Sequence, residues 1–185
     1  MKSKTQHRIV IPATSEIHVR QATSDSPLSL ADAALSYARR GWPVLPLVPG
    51  KKNPLTTNGF YDATTDGVPI HEWWTQHPDA NVGVRVGIES NLLVLDVDNK
   101  GGKNGTAELE KLSNQLGQLP LTRIVSTPSG GFHFYFAFPN GLKERALKSE
   151  LAPGVELKFK GYVVAPPSII EGSAYEIIAE VEDVD

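Results

Sequence analysis

The sequence predicts an α+β fold, a mixed or antiparallel sheet partly covered by helices. Three observations predict it. Short runs with period-two alternation recur along the chain, clearest in Leu92-Leu93-Val94-Leu95-Asp96-Val97-Asp98, Phe132-His133-Phe134-Tyr135-Phe136-Ala137-Phe138 and Val155-Glu156-Leu157-Lys158-Phe159. Helical patterns interrupt these runs without the strict strand–helix alternation of a parallel sheet. Finally, 185 residues with 40% apolar content can bury the core of one domain.

The elements follow in order. Residues 1–27 are polar and rich in Ser and Thr, ending at Ser26-Pro27, and read as a mobile leader; within them Arg8-Ile9-Val10-Ile11-Pro12 is the one strand-like piece. The folded domain is expected over 28–179. A helix at about 28–40 has Leu30, Ala33, Ala34, Tyr37 and Ala38 on one face and Gly41 as its stop. Trp42-Pro43-Val44-Leu45-Pro46-Leu47 reads as an edge strand, since proline cannot donate to a ladder. A loop follows to about Asp66, with Asp62 as a turn residue and Asp66 as the cap of a helix over 69–76 that carries Trp73-Trp74 as core bulk. Strands are expected near 81–87, 92–98, 124–127, 132–138, 155–159, 161–165 and 174–179. Helices are expected at 106–116, stopped by Gly117, and at 142–150. The last six residues carry Glu180, Glu182, Asp183 and Asp185, an acidic tail or truncated linker.

Composition narrows the function classes. Net charge is −3, so the chain as a whole is not a basic nucleic-acid binder. The charge is uneven, however: Lys143, Arg145, Lys148, Lys158 and Lys160 gather in one stretch that can track phosphates locally. No cysteine occurs, which excludes disulfides and Cys-ligated zinc. No apolar run approaches the roughly 20 residues of a membrane helix, and no signal peptide is visible. These features predict a soluble, intracellular protein.

The strands place the chemistry. Side chains alternate faces, so Asp96 and Asp98 share one face, His133 and Tyr135 share one, and Glu156 shares one with Lys158. If these strands lie in one sheet, three carboxylates and a histidine meet on its open face, an inventory suited to two-metal phosphoryl transfer. Each element has a plainer reading. Asp96-Val97-Asp98 either binds a hard cation or caps a turn. Ser129-Gly130-Gly131 either opens backbone N–H groups to phosphate or is a hairpin turn. Glu156 and Lys158 either belong to a site or form a solvated face. Lys51 and Lys52, in a Gly/Pro loop, either contact phosphate or template or form a solvated loop, and Asn81 either binds nucleotide or caps a turn. Tyr135 is a candidate to line a sugar pocket, and Arg123 and Arg145 are generic candidates for phosphate contact.

As an ordered set, the motifs resemble the N-terminal domain of bifunctional DNA primase/polymerases of plasmid and phage replication proteins, in the archaeo-eukaryotic primase superfamily. The matching pieces are Ala38-Arg39-Arg40-Gly41-Trp42-Pro43-Val44-Leu45-Pro46-Leu47, Gly50-Lys51-Lys52-Asn53-Pro54, Asp62-Ala63-Thr64-Thr65-Asp66, Trp73-Trp74, Ala80-Asn81-Val82-Gly83 with Gly87, and Leu95-Asp96-Val97-Asp98. They continue as Thr127-Pro128-Ser129-Gly130-Gly131-Phe132-His133 and Gly154-Val155-Glu156-Leu157 running into Gly161-Tyr162-Val163-Val164-Ala165-Pro166-Pro167-Ser168. The resemblance spans about residues 30–178. It implies a primase-polymerase core with an RNA-recognition-motif-like catalytic sheet. It further implies two Mg²⁺ or Mn²⁺ ions on Asp96, Asp98 and Glu156 and nucleotide phosphates at His133 beside Ser129-Gly130-Gly131; no zinc is expected, because the chain has no cysteine for the Cys-rich zinc element of some primases. Where the family often has Asp-x-Arg, this chain has Glu156-Leu157-Lys158, so Lys158 stands in for an arginine without its bidentate geometry.

The implied activity is template-dependent nucleotidyl transfer that makes or extends primers. Its partners would be a single-stranded DNA template, NTP or dNTP, and a helicase domain or other replication protein. No Gly-x4-Gly-Lys-Ser/Thr loop occurs, so no helicase motor is visible, and the chain reads as a fragment of a larger replication protein or a minimal domain. Two alternatives use the same residues: a two-metal nuclease or phosphohydrolase, and a non-catalytic nucleic-acid- or nucleotide-binding module.

Overall fold

The computed structural model describes residues 28–180; the leader with its strand-like piece, and the tail beyond Glu180, lie outside the described residues. Helix α1 (Leu30–Arg39) begins at Ser29, whose hydroxyl accepts the Asp32 N–H at 3.1 Å, and it buries Ala33, Ala34, Tyr37 and Ala38. Gly41 ends it in the left-handed region, as the sequence predicts. Helix α2 (Gly67–Gln76) starts two residues earlier than its pattern, where Asp66 caps the Val68 N–H at 2.9 Å. Asp62 closes the preceding turn by accepting from both nitrogens of Asn58. Trp74 is buried, and its indole N–H donates to the Ala80 carbonyl at 2.9 Å.

Strands β1 (Val44–Leu47) and β2 (Asn81–Arg85) pair antiparallel; with β8 (Tyr162–Ala165) they make a three-stranded sheet in the order β1-β2-β8. The proline-bearing β1 lies at its edge, as expected. A second sheet has six antiparallel strands in the order β11-β4-β5-β3-β7-β6, built from β3 (Leu92–Val97), β4 (Arg123–Ser126), β5 (Phe132–Ala137), β6 (Glu150–Ala152), β7 (Val155–Lys158) and β11 (Glu176–Ala179). Helix α3 (Gly105–Leu116) crosses from β3 to β4. A small hairpin, β9 (Ile169–Ile170) with β10 (Ser173–Ala174), leads into β11. The α+β class is therefore observed.

Two cores hold the large sheet. On one face Leu95, Val97, Phe134 and Val155 pack with Leu109 of α3. On the other, Leu92, Val94, Val125 and Tyr135 join a continuous core with α1, α2 and the small sheet, through Tyr37, Trp42, Leu45, Ile70, Trp74, Val82 and Val84. This face is the one that carries the candidate site, so one end of it is core and the other is open.

One expected element is replaced. Residues 142–150 form no short helix: a single 3₁₀ turn, Glu144–Ala146, gives way to β6, which pairs with β7. Nine residues barely repay helix nucleation, whereas β7 offers an unpaired edge that satisfies the backbone directly.

Candidate active site

The central strand β3 brings the predicted residues together. Asp96 is the register partner of His133 on β5 on one side and of Glu156 on β7 on the other. Residues paired across a sheet point the same way, so the three form one row. Val94, one step back, pairs with Tyr135 and Lys158, which places Lys158 beside the acids.

Lys158 joins the carboxylates. Its Nζ lies 2.6 Å from Glu156 Oε2 and 3.4 Å from Asp96 Oδ2. The hydrogen bond and charge of Lys158 hold the Glu156 carboxyl below the usual carboxylate range. For Lys158, partial burial works against the charge, yet Glu156 and Asp96 carry its pKa above that of an ordinary lysine. His133 is 6% exposed, with Nε2 3.6 Å from Asp96 Oδ1 and Nδ1 buried without a partner. Burial pushes its pKa down to about 4 despite the pull of Asp96, and the Lys52 and Lys158 ammonium groups push the same way. At neutral pH the imidazole is therefore uncharged. Tyr175 packs beside it, ring centroids 5.7 Å apart.

Asp98 sits one residue past β3, and its charge acts on Glu156 in the row. Its Oδ1 accepts the Lys100 N–H at 3.3 Å, the turn-capping arrangement. Its backbone ties the site's loops together: its N–H donates to the Gly154 carbonyl and its carbonyl accepts from Gly105. Among the described residues no group of three or more His, Cys, Asp or Glu side chains is gathered as a metal would need. The Asp96–Glu156 pair still suits a cation. Hard carboxylate oxygens from both already face one positive centre, the Lys158 ammonium, and this donor chemistry is that of Mg²⁺ and Mn²⁺. Asp98, two residues on from Asp96, engages the Lys100 amide through Oδ1 alone, so its carboxylate keeps acceptor capacity for the same cation.

The Ser129-Gly130-Gly131 segment is the β4–β5 hairpin turn. Its glycine amides are engaged inside the turn rather than held open: Gly130 N–H donates to the Thr127 carbonyl at 2.9 Å and Gly131 N–H to Thr127 Oγ1 at 3.1 Å. This corrects the expectation of a backbone phosphate cradle at these two amides. Gly130 is needed for its φ of 77°, and Gly131 because a Cβ there would lie 2.1 Å from the Val97 carbonyl oxygen. Exposed Ser129 keeps its hydroxyl 3.2 Å from that of Thr127.

Three further expectations are corrected. Asn81 is 2% exposed, and its amide is engaged with backbone: Nδ2 donates to the carbonyls of Ile169 (2.8 Å) and Lys51 (3.3 Å), and Oδ1 accepts from Ile169 N–H (3.0 Å). No proton is left over for a ligand. Tyr135 shares the His133 face but is fully buried and stacked on Trp42, so it is core. Arg123 is buried in a bidentate pair with Glu180 and lies over the rings of Tyr37 and Trp42, so its guanidinium serves the core. Lys51 and Arg145 are exposed, as is Lys52.

Sequence reasoning missed Asn99. Its Nδ2 donates to the Gly130 carbonyl (2.7 Å) and to Thr106 Oγ1 (2.9 Å), and its Oδ1 accepts the Thr106 N–H, which locks the exit of β3 to the hairpin turn and to the start of α3. Its only signal was its place next to Asp98. Tyr162, within the Gly161–Ser168 motif, donates its hydroxyl proton to the Lys52 carbonyl at 2.7 Å.

Residues 34–185 match the family model described as bifunctional DNA primase/polymerase, N-terminal. The chain belongs to this primase/polymerase family. The match supports a primase/polymerase-type function in DNA replication. A comparison with curated proteins gives no match. Among the described residues, no helix of this primase/polymerase domain is long and apolar enough to cross a membrane.

Proposed function

We propose that this domain is a template-dependent nucleotidyltransferase that makes or extends DNA or RNA primers during plasmid or phage replication in a host cytoplasm. The observation that carries the reading is the row Asp96–His133–Glu156 on three adjacent strands, with a lysine bridging its two acids. In this reading Asp96, Asp98 and Glu156 hold two divalent ions, Mg²⁺ or Mn²⁺. When bound, such ions lower the pKa of a primer 3′-hydroxyl and offset charge on the pyrophosphate leaving group.

The protein's own groups do the rest. His133, uncharged at neutral pH, offers an imidazole N–H to a phosphate oxygen without repelling a cation at Asp96. Lys158, released from Glu156 and Asp96, is a mobile point charge for the triphosphate. Ser129, exposed on the turn before His133, has a hydroxyl for the same anion. The substrates are NTP or dNTP on a single-stranded DNA template, and a helicase domain or other replication protein is the expected partner.

The closed Gly130-Gly131 turn keeps a second reading in play. It removes one reason to favour a triphosphate over a phosphodiester, and a metal-dependent nuclease would use the same row with water as nucleophile. One assay separates them: labelled nucleotide incorporation on single-stranded DNA, with and without an annealed primer, in Mg²⁺ and in Mn²⁺, beside release of label from DNA. Metal-dependent incorporation that is lost in Asp96→Ala/Asp98→Ala supports the proposal. Release of label without incorporation supports the nuclease, and neither activity overturns both.

A further inference from the structure

Among the described residues, the buried side-chain atoms without a hydrogen-bond partner are Arg123 Nη1, Tyr135 Oη and His133 Nδ1. They belong to one place. Arg123 on β4 is the register partner of Tyr135 on β5, and His133 lies two residues from Tyr135 on the same strand, so all of these side chains share one face. The Tyr135 ring lies 5.6 Å from that of Trp42 and 6.3 Å from that of His133, and the Arg123 guanidinium lies 5.4 Å from the Trp42 ring. Buried polar groups are almost always paired, so neighbouring orphans on one face have a common cause.

Donor and acceptor chemistry supplies it. Glu180 occupies Nε and Nη2 of Arg123, which leaves Nη1 with protons to give and no means of accepting. A phenol both accepts and donates. Burial pushes the Tyr135 pKa up, so the hydroxyl keeps its proton. Arg123 can only give to Tyr135, and the Tyr135 proton has His133 Nδ1 as the remaining unpartnered acceptor. The atoms lie beyond direct reach of one another, a gap that an internal water spans. Such a water keeps the same polarity, because a guanidinium never accepts. An Nδ1 that accepts leaves the imidazole proton on Nε2, the nitrogen 3.6 Å from Asp96 Oδ1.

We propose that Tyr135 is a positioning residue for His133: oriented by Arg123 and acting through buried water, its hydroxyl donates toward Nδ1 and holds the imidazole proton on Nε2, at the row of acids. The use of that Nε2–H on a nucleotide phosphate rests on the nucleotidyltransferase reading above, whereas the tautomer does not. Tyr135 thereby serves the site from within the core, without contact to a ligand.

The test is isotope-edited NMR of histidine-labelled protein at neutral pH, in the wild type, Tyr135→Phe and His133→Asn, whose missing signal assigns His133. Tyr135→Phe removes the hydroxyl and keeps the ring on Trp42, and a thermal melt checks the fold. The wild type is expected to hold His133 in a single Nε2–H form, and Tyr135→Phe to mix the two tautomers. Calorimetric binding of dATP with Mg²⁺ is expected to weaken about threefold to tenfold in Tyr135→Phe, the loss for one hydrogen bond, and less than about twofold when the same change is made in His133→Asn. A wild-type His133 that is charged or carries its proton on Nδ1 overturns the inference, and this spectrum decides even where Tyr135→Phe does not fold. A folded Tyr135→Phe with the wild-type tautomer overturns it as well. A dATP affinity that Tyr135→Phe leaves unchanged, or lowers equally in both backgrounds, overturns the positioning role. No dATP binding by the wild type, with the tautomers as expected, overturns the nucleotidyltransferase reading alone.

Discussion

Replacing Lys158 with methionine separates the two functions that the site asks of this lysine. The ammonium bridges Glu156 at 2.6 Å and Asp96 at 3.4 Å, so a divalent ion entering between these acids must displace it. The three side chains are about one-quarter to one-third exposed: 32% for Lys158, 35% for Glu156 and 25% for Asp96. At such exposure an ion pair contributes roughly 0.5–1 kcal/mol after screening, so displacing both contacts costs about 1–2 kcal/mol. That is about 5- to 30-fold in a binding constant. Methionine keeps most of the stem volume and removes the charge. Glu156 then loses the partner that holds its pKa down but stays ionised at neutral pH, so its protonation does not offset the gain. Lys158→Met is therefore expected to bind Mn²⁺ about tenfold more tightly, measured by the electron paramagnetic resonance signal of free Mn²⁺ at neutral pH, with the gap narrowing in high salt. The same variant is expected to bind dATP more weakly. Mn²⁺ affinity that is unchanged or lower in a folded Lys158→Met protein refutes the picture of an ammonium occupying the cation position.

Two further outcomes follow. His133 has a folded-state pKa of about 4 against an unfolded value near 6.5, so as pH falls through 6.5 only the unfolded chain takes up the proton. Its contribution is a stability loss of up to ~3 kcal/mol between pH 6.5 and pH 4, read as the difference in urea-unfolding free energy between wild type and His133→Asn; equal pH slopes contradict the buried neutral imidazole. Gly131→Ala drives a methyl to 2.1 Å from a backbone oxygen and is expected to cost about 3 kcal/mol or more, whereas Gly130→Ala meets open space and pays only about 1 kcal/mol for its left-handed backbone. Similar melting temperatures for the two variants refute the close approach of the hairpin turn to β3.

The legible parts of the site share one physical basis. Period-two alternation placed Asp96, His133 and Glu156 on faces that the register then aligned, because a strand's faces follow from its own covalent geometry. The cap at Asp66 and the stop at Gly41 were legible for a similar reason: each acts within a few residues of itself. Alternation names a face but not what covers it. Tyr135 and Arg123 share the face of His133, and only the packing of α1 and Trp42 against that end of the sheet makes them core rather than lining. Similarly, the glycine pair read as an open cradle because sequence shows conformational freedom, not which carbonyl an amide finds.

The sequence by itself determined the α+β class, the order of the elements apart from the 142–150 segment and the β9–β10 hairpin, the three strands that carry the chemistry and the family to which the chain belongs. Those properties are local, or are sums of local patterns. The tertiary structure decided that Asp98 caps a turn, that Lys158 bridges Asp96 and Glu156, and that Asn81 holds a loop instead of a ligand. The Asp98 cap is local, since Lys100 is two residues away, and the structure chose between two readings that the sequence left open. The Lys158–Asp96 contact crosses the β3–β7 ladder, and the Asn81–Lys51 contact joins residues 30 apart. Those distances are set by strand register and by the packing of a loop on the small sheet, and no window of neighbouring residues contains them.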